Sequence, residues 1–237
     1  QMIVPVIIGI YYGVSSQLAG KEIDTKVAES LGQSQPAMLM MQVVGILFLL
    51  LIFKYKKTKI REYISIKSIN SKKIFRYICY GAGFQIFSII GNLIFMQFYN
   101  IEKSANVLNE VFKSGNTLIS LFILLIIAPI VEEVLFRGMI LNKLNNHINT
   151  KVAISIQALL FSLFHFNMAQ MVPTFLLGLF LGFCYLKFDN LMAVIIIHLG
   201  FNIVGSLGMF LPESMSYMII VLAVTGGIMS VILTKRK

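Results

Sequence analysis

Charge is scarce in this chain: 13% of its 237 residues are Asp, Glu, Lys or Arg, against roughly 25% in a soluble domain. With 57% apolar residues and a mean hydropathy of +0.84, that deficit excludes an ordinary water-soluble globule and leaves an integral membrane protein. Cysteine is nearly missing. Cys79 and Cys184 lie in apolar stretches without C-x-x-C spacing, which excludes a disulfide framework or a zinc knuckle and leaves small apolar packing. Aspartate is equally short: Asp189 alone lies near an apolar run, so a paired-aspartate site inside a membrane is ruled out. There is no H-E-x-x-H motif, no convincing Ser and His pair, and no internal repeat or low-complexity tract.

What the chain has in quantity is apolar runs of helical length, at about 2 to 18, 37 to 53, 77 to 99, 117 to 141, 151 to 167, 170 to 187, 190 to 210 and 216 to 234. They predict an all-α, polytopic membrane protein of about eight transmembrane helices, a single integral membrane domain over residues 1–237. The first run has no charged n-region and no A-x-A cleavage site, and is expected to be an anchor.

Placing the amino terminus in the cytoplasm puts sixteen Lys and Arg residues on the inside and four outside, so both termini are expected to be cytoplasmic in a multi-pass cell-membrane protein. The net charge of +10 is concentrated in the connection 54–76, whose interleaved Ile and Tyr residues suit an amphipathic segment lying on anionic lipid. Membrane lipids are therefore the expected partners of this stretch, and nucleic acid is not.

The polar residues inside the runs carry the chemistry. A charged group at the centre of a span costs about 2.5 to 3.5 kcal/mol on insertion scales, so such groups are kept where they face partners or water inside the bundle. Glu133 and Arg137 are four apart with the acid first, the favourable order for an intrahelical ion pair, while Glu132 is rotated about 100° away and left available. Counting from the polar turn near 145–150, Glu132 and His165 are each about sixteen residues out, which at 1.5 Å per residue puts both roughly 20 to 25 Å above the turn on an antiparallel pair. Phe161, one turn before His165, is expected to pack on the same face and help fix the imidazole. His198 and Asn202 are again four apart, one above the other on a further helix.

A cavity lined by these groups, the core 117–202, could hydrolyse an amide bond. Glu132 with His165 would take a proton from water, and His198 with Asn202 would donate hydrogen bonds to the oxygen that becomes negative. Glu133 and Arg137 would support the helix.

Glu132-Glu133-Val-Leu-Phe-Arg137, Phe161-Ser-Leu-Phe-His165 and His198-Leu-Gly-Phe-Asn202 are similar to the EExxxR, FxxxH and HxxxN motifs of the CAAX protease and bacteriocin-processing family of intramembrane proteases, whose best-known branch is the Ras-converting CAAX endopeptidase. The resemblance implies an eight-helix fold around an internal catalytic chamber. It assigns water activation to Glu132 and His165, the oxyanion site to His198 and Asn202, and support to Glu133 and Arg137. The implied substrate is a membrane-associated or lipid-modified peptide. Members are described both as glutamate-dependent and as metalloproteases. The metal-free reading is preferred here, because Asn202 stacked under His198 suits donation better than coordination; a zinc site would use Glu132, His165 and His198.

Three other readings stand beside this one. The same residues could relay protons in a coupled transporter, although the paired broken helices of transport sites are missing. They could serve a non-catalytic scaffold or bacteriocin-immunity protein. Taken singly, they could be a salt-bridge cluster, a core histidine and interhelical hydrogen-bonding glue.

Overall fold

The computed structural model describes residues 64–96, 117–165 and 168–210, together with Gly45 and Lys54. The runs at 2–18 and 216–234, and all of 37–53 except Gly45, lie outside the described residues. Apart from the stretch 64–70 and the short turns, those described are helical, with no strand among them. α1 is Ser71–Met96, α2 Thr117–Asn145, α3 Thr150–Phe164, α4 Met168–Phe188 and α5 Leu191–Phe210. Two of these, α2 and Met171–Phe188 of α4, are long and apolar enough to cross a membrane.

Hydropathy locates the apolar body of each helix, but asparagine sets three of the starts. The side chain of Asn70 accepts the Lys72 N–H at 2.9 Å, that of Asn149 the Lys151 N–H at 2.9 Å, and that of Asn190 the Met192 N–H at 3.1 Å. Each satisfies a backbone donor that the first helical turn leaves open. α1 therefore begins at Ser71, with the polar turn Ser71–Arg76 helical, ahead of the apolar run expected from 77. α2 likewise carries on past 141 to Asn145, and α3 stops at Phe164 with His165 as its C-cap.

α2 is not a uniform α-helix. Ile123–Ile127 and Val134–Leu141 are π-helical, separated by the α-helical Ala128–Glu133 that carries both glutamates. Such wide turns are rare and concentrate at functional sites.

Polarity runs inside out. Along α2, Leu118, Phe122, Ile126 and Ile130 are exposed at four-residue spacing, while Ser120, Glu132, Glu133 and Arg137 are buried. On α3, Leu159, Leu160 and Leu163 face outward and Gln157 is buried. An apolar exterior around a polar interior is the arrangement that lipid imposes.

Close backbone approaches tie the helices together. A Cβ on Gly81 of α1 would fall on the backbone of Ile197 in α5, and one on Gly200 would fall on that of Ile78, so these helices touch main chain to main chain. Between α3 and α4 the sixth run's Gly178 meets Ala158, as expected of a packing glycine. Cys184 is buried and Cys79 half-buried, both as free thiols.

Part of the basic connection is fastened to protein. Ile64 is buried against Gly138 of α2. The Ser65 carbonyl accepts the Leu191 N–H at 2.7 Å, and the Ser65 hydroxyl donates to the Asp189 carbonyl at 2.7 Å. Asn190 exchanges two bonds with the Lys67 backbone, and the Lys67 ammonium pairs with the Asp189 carboxylate. Asp189 has φ of 44°, a left-handed conformation that Asp tolerates better than most residues, and it turns the chain from α4 into α5. The strap 64–70 thus pins the start of α5 beside α2.

Candidate active site

α2, α3 and α5 bring the motif residues together. Glu133 Oε1 accepts from Arg137 Nη1 at 2.8 Å and from His198 Nδ1 at 2.7 Å, with both side chains of the ion pair fully buried. Arg137 also reaches the Gly178 carbonyl at 3.4 Å, and its guanidinium lies 4.4 Å from the centroid of the Phe161 ring. A guanidinium over an aromatic face gains from the ring quadrupole as well as from its carboxylate.

Phe161 is the hub between the two imidazoles. Its ring centroid is 4.8 Å from that of His165 and 6.1 Å from that of His198, both edge-on, and Phe136 packs on it at 5.1 Å. Since Arg137 is level with Phe161, Glu133 one turn further along α2 and His165 one turn further along α3 reach the same height above the connecting turn.

The hydrogen-bond partners settle the tautomers. His165 Nδ1 lies 2.9 Å from the Phe161 carbonyl oxygen, which can only accept, so Nδ1 carries the proton and Nε2 of the neutral ring is a lone-pair acceptor. His198 Nδ1 likewise donates to the carboxylate that Arg137 neutralises, which leaves Nε2 to face Glu132 Oε2 at 3.8 Å. In that orientation His198 can donate from Nε2 only as the imidazolium.

Asn202 is held at its other end. Its Nδ2 donates to the Leu124 carbonyl at 2.9 Å, and because a carbonyl demands a donor, the amide orientation follows, with one further N–H to give.

Glu132 stands apart from its neighbour. It is nearly buried, forms no ion pair with Arg137, and shares no direct hydrogen bond with His165 among the described residues. Among the same residues no three His, Cys, Asp or Glu side chains converge as metal ligands.

Two contacts were not foreseeable from motif spacing. Glu133 was expected to serve Arg137 alone, yet it also orients His198, sixty-five residues away. Asn202 was expected to donate to the oxyanion, and one of its N–H groups is spent on the π-helical stretch of α2. His147 is exposed in the turn, as expected of a loop residue, with Nδ1 on the Lys143 carbonyl.

Residues 114–204 match the family model described as type II CAAX prenyl endopeptidase Rce1-like. No curated protein and no solved structure matches the chain. The matched segment contains all three motifs and every contact of the site just described, and over these residues the chain is similar to the CAAX-type membrane-embedded endopeptidases.

Proposed function

We propose that the protein is an intramembrane endopeptidase that cleaves a membrane-associated or lipid-modified peptide, with Glu132 and His165 activating water and His198 and Asn202 stabilising the oxyanion. The observation that carries this reading is the asymmetry of the adjacent carboxylates. Glu133 is spent on Arg137 and His198, whereas Glu132 takes no bond from Arg137 and faces only His198 Nε2, at 3.8 Å and beyond hydrogen-bond distance.

Glu132 then takes a proton from a water molecule as the oxygen forms its bond to the scissile carbonyl carbon. His165 Nε2, an acceptor in the neutral ring, holds the same water in place. The carbonyl oxygen becomes negative and accepts hydrogen bonds from the His198 imidazolium and from the second N–H of Asn202. Collapse of the tetrahedral intermediate breaks the C–N bond, and the proton taken by Glu132 passes to the leaving amine. We place this site in a chamber enclosed by about eight spans of a multi-pass cell-membrane protein with both termini cytoplasmic, in keeping with the charge bias of its connections.

The test is cleavage of a panel of prenylated and unprenylated membrane peptides by purified, detergent-solubilised protein. Glu132→Gln keeps the shape of the side chain and should lower turnover by about 10² to 10⁴ while leaving folded yield unchanged. Equal turnover by Glu132→Gln and the native protein would remove Glu132 from the chemistry. Loss of native activity to a strong zinc chelator, restored by zinc, would replace the metal-free mechanism with a metal-dependent one. Absence of cleavage across the panel would favour the scaffold reading.

A further inference from the structure

The Leu124 carbonyl that holds Asn202 is available because of one residue in α2. At the end of the π-helical stretch the Ala128 N–H donates back to the Ile123 carbonyl, five residues earlier. The next donor in the same pattern, the one due to reach Leu124, would come from residue 129. That residue is Pro129, which has no N–H. With Ala128 committed to Ile123 and Pro129 unable to donate, the Leu124 carbonyl is left open within the helix, and a part-buried carbonyl in an apolar bundle is costly to leave unpaired. The Asn202 carboxamide fills the vacancy at 2.9 Å.

We propose that Pro129 is a positioning residue for the oxyanion site: its missing N–H keeps the Leu124 carbonyl open, and that carbonyl aims the Asn202 amide from the opposite helix. Pro129 is buried within the short α-helical piece that bears Glu132 and Glu133. It thereby links two arms of the site, setting the hydrogen-bond pattern of the glutamate helix and, through Leu124, the rotamer of the asparagine on α5. One N–H of Asn202 is used as an anchor and the other is left pointed for use. The assignment of that second N–H to the oxyanion rests on the endopeptidase reading; the anchoring itself does not.

The experiment compares two side chains of identical shape at position 129. Pro129→Ala restores a backbone N–H that can take the Leu124 carbonyl. The α-hydroxy analogue of alanine, introduced at the same position by nonsense suppression, has the same methyl group but an ester oxygen in place of that N–H. In the full-length protein with selectively ¹⁵N-labelled asparagine, the Asn202 carboxamide signal is identified by its disappearance in Asn202→Ala. Native protein should show one slowly exchanging and one rapidly exchanging Asn202 amide hydrogen. The ester variant should keep that pattern and Pro129→Ala should lose it.

In peptide cleavage, kcat should fall by about 10²-fold in Pro129→Ala relative to the ester variant, with KM within twofold, as expected when a group is misplaced without loss of binding. Two rapidly exchanging hydrogens in the native protein would overturn the proposal without any variant. So would indistinguishable Asn202 spectra in the alanine and ester proteins, which would make Pro129 a packing residue. A spectral change with no cleavage of any peptide by any form would uphold the anchoring and sink the endopeptidase reading alone.

Discussion

Glu133–Arg137, within α2, and Lys67–Asp189, between the strap and the turn into α5, are both acid–base pairs, and they sit at opposite extremes of exposure. The first has no solvent-accessible side-chain surface on either partner, whereas in the second 57% of the lysine and 67% of the aspartate side chain is exposed. A buried pair has already lost its hydration, so its worth lies in the penalty for breaking it: removing one partner strands a charge and costs about 3 to 5 kcal/mol. An exposed pair keeps its water on both sides and contributes about 0 to 1 kcal/mol. The strap end of the molecule must therefore be held by something other than its ion pair, namely the backbone bonds of Ser65 and Lys67 and the buried Ile64.

Arg137→Ala is the sharpest way to break the contrast. It leaves Glu133 buried with only His198 as partner and removes the cation over Phe161. Chemical unfolding in detergent should show a loss of about 3 to 5 kcal/mol. The double variant Glu133→Leu with Arg137→Met should cost less than the sum of the two single changes, because neither charge is stranded. Additive losses would mean that the pair acts as two independent packing residues.

How much of this was legible follows the range of each interaction. The Glu133–Arg137 pair could be read directly, because i to i+4 spacing on a helix fixes both neighbours. That Phe161 packs on the same face as His165 followed from the same rule. The bond from Glu133 to His198 could not be read, since it depends on how α2 meets α5. The bodies of α1 to α5 matched their apolar runs and most ends fell within a few residues, whereas α1 begins six residues before 77, because a polar first turn capped by asparagine is invisible to hydropathy. A strict 3.6-residue period also hides the two π-helical stretches. The signal of the first in the chain was Pro129, whose missing N–H opens a gap in the hydrogen-bond ladder of α2. The basic strap read as a lipid-surface segment, and in Ile64–Lys67 the same residues are spent on protein contacts.

Asn190 should give the intermediate effect. It caps α5 through Met192 and also exchanges bonds with the Lys67 backbone, accepting at Oδ1 and donating from Nδ2. Asn190→Ala removes both functions and should cost about 0.5 to 2 kcal/mol, the range of a lost N-cap. Asn190→Asp keeps the two acceptor bonds and loses only the donor, so its thermal midpoint should fall between those of the native and alanine proteins. A midpoint for Asn190→Asp equal to the native value would mean that the bond donated to the Lys67 carbonyl contributes nothing.

The smallest effect is expected at the exposed pair itself. Lys67→Ala leaves the backbone bonds to Asn190 in place and removes only the ammonium, so it should cost at most about 1 kcal/mol, less as salt is added. Its dependence on pH has a definite sign. The Lys67 hydrogen bond holds the Asp189 carboxyl below its ordinary range near pH 3.9, against an opposing effect of burial. A carboxylate whose folded value is depressed contributes its stability above the unfolded value and loses it as the pH falls through the folded one. The difference between native and Lys67→Ala midpoints should therefore be constant around neutrality and shrink below about pH 4. If that difference were instead larger than the one produced by Asn190→Ala at pH 7, or rose on acidification, the ion pair and not the backbone would be holding the strap, and exposure would be a poor guide to what fastens this end of the bundle.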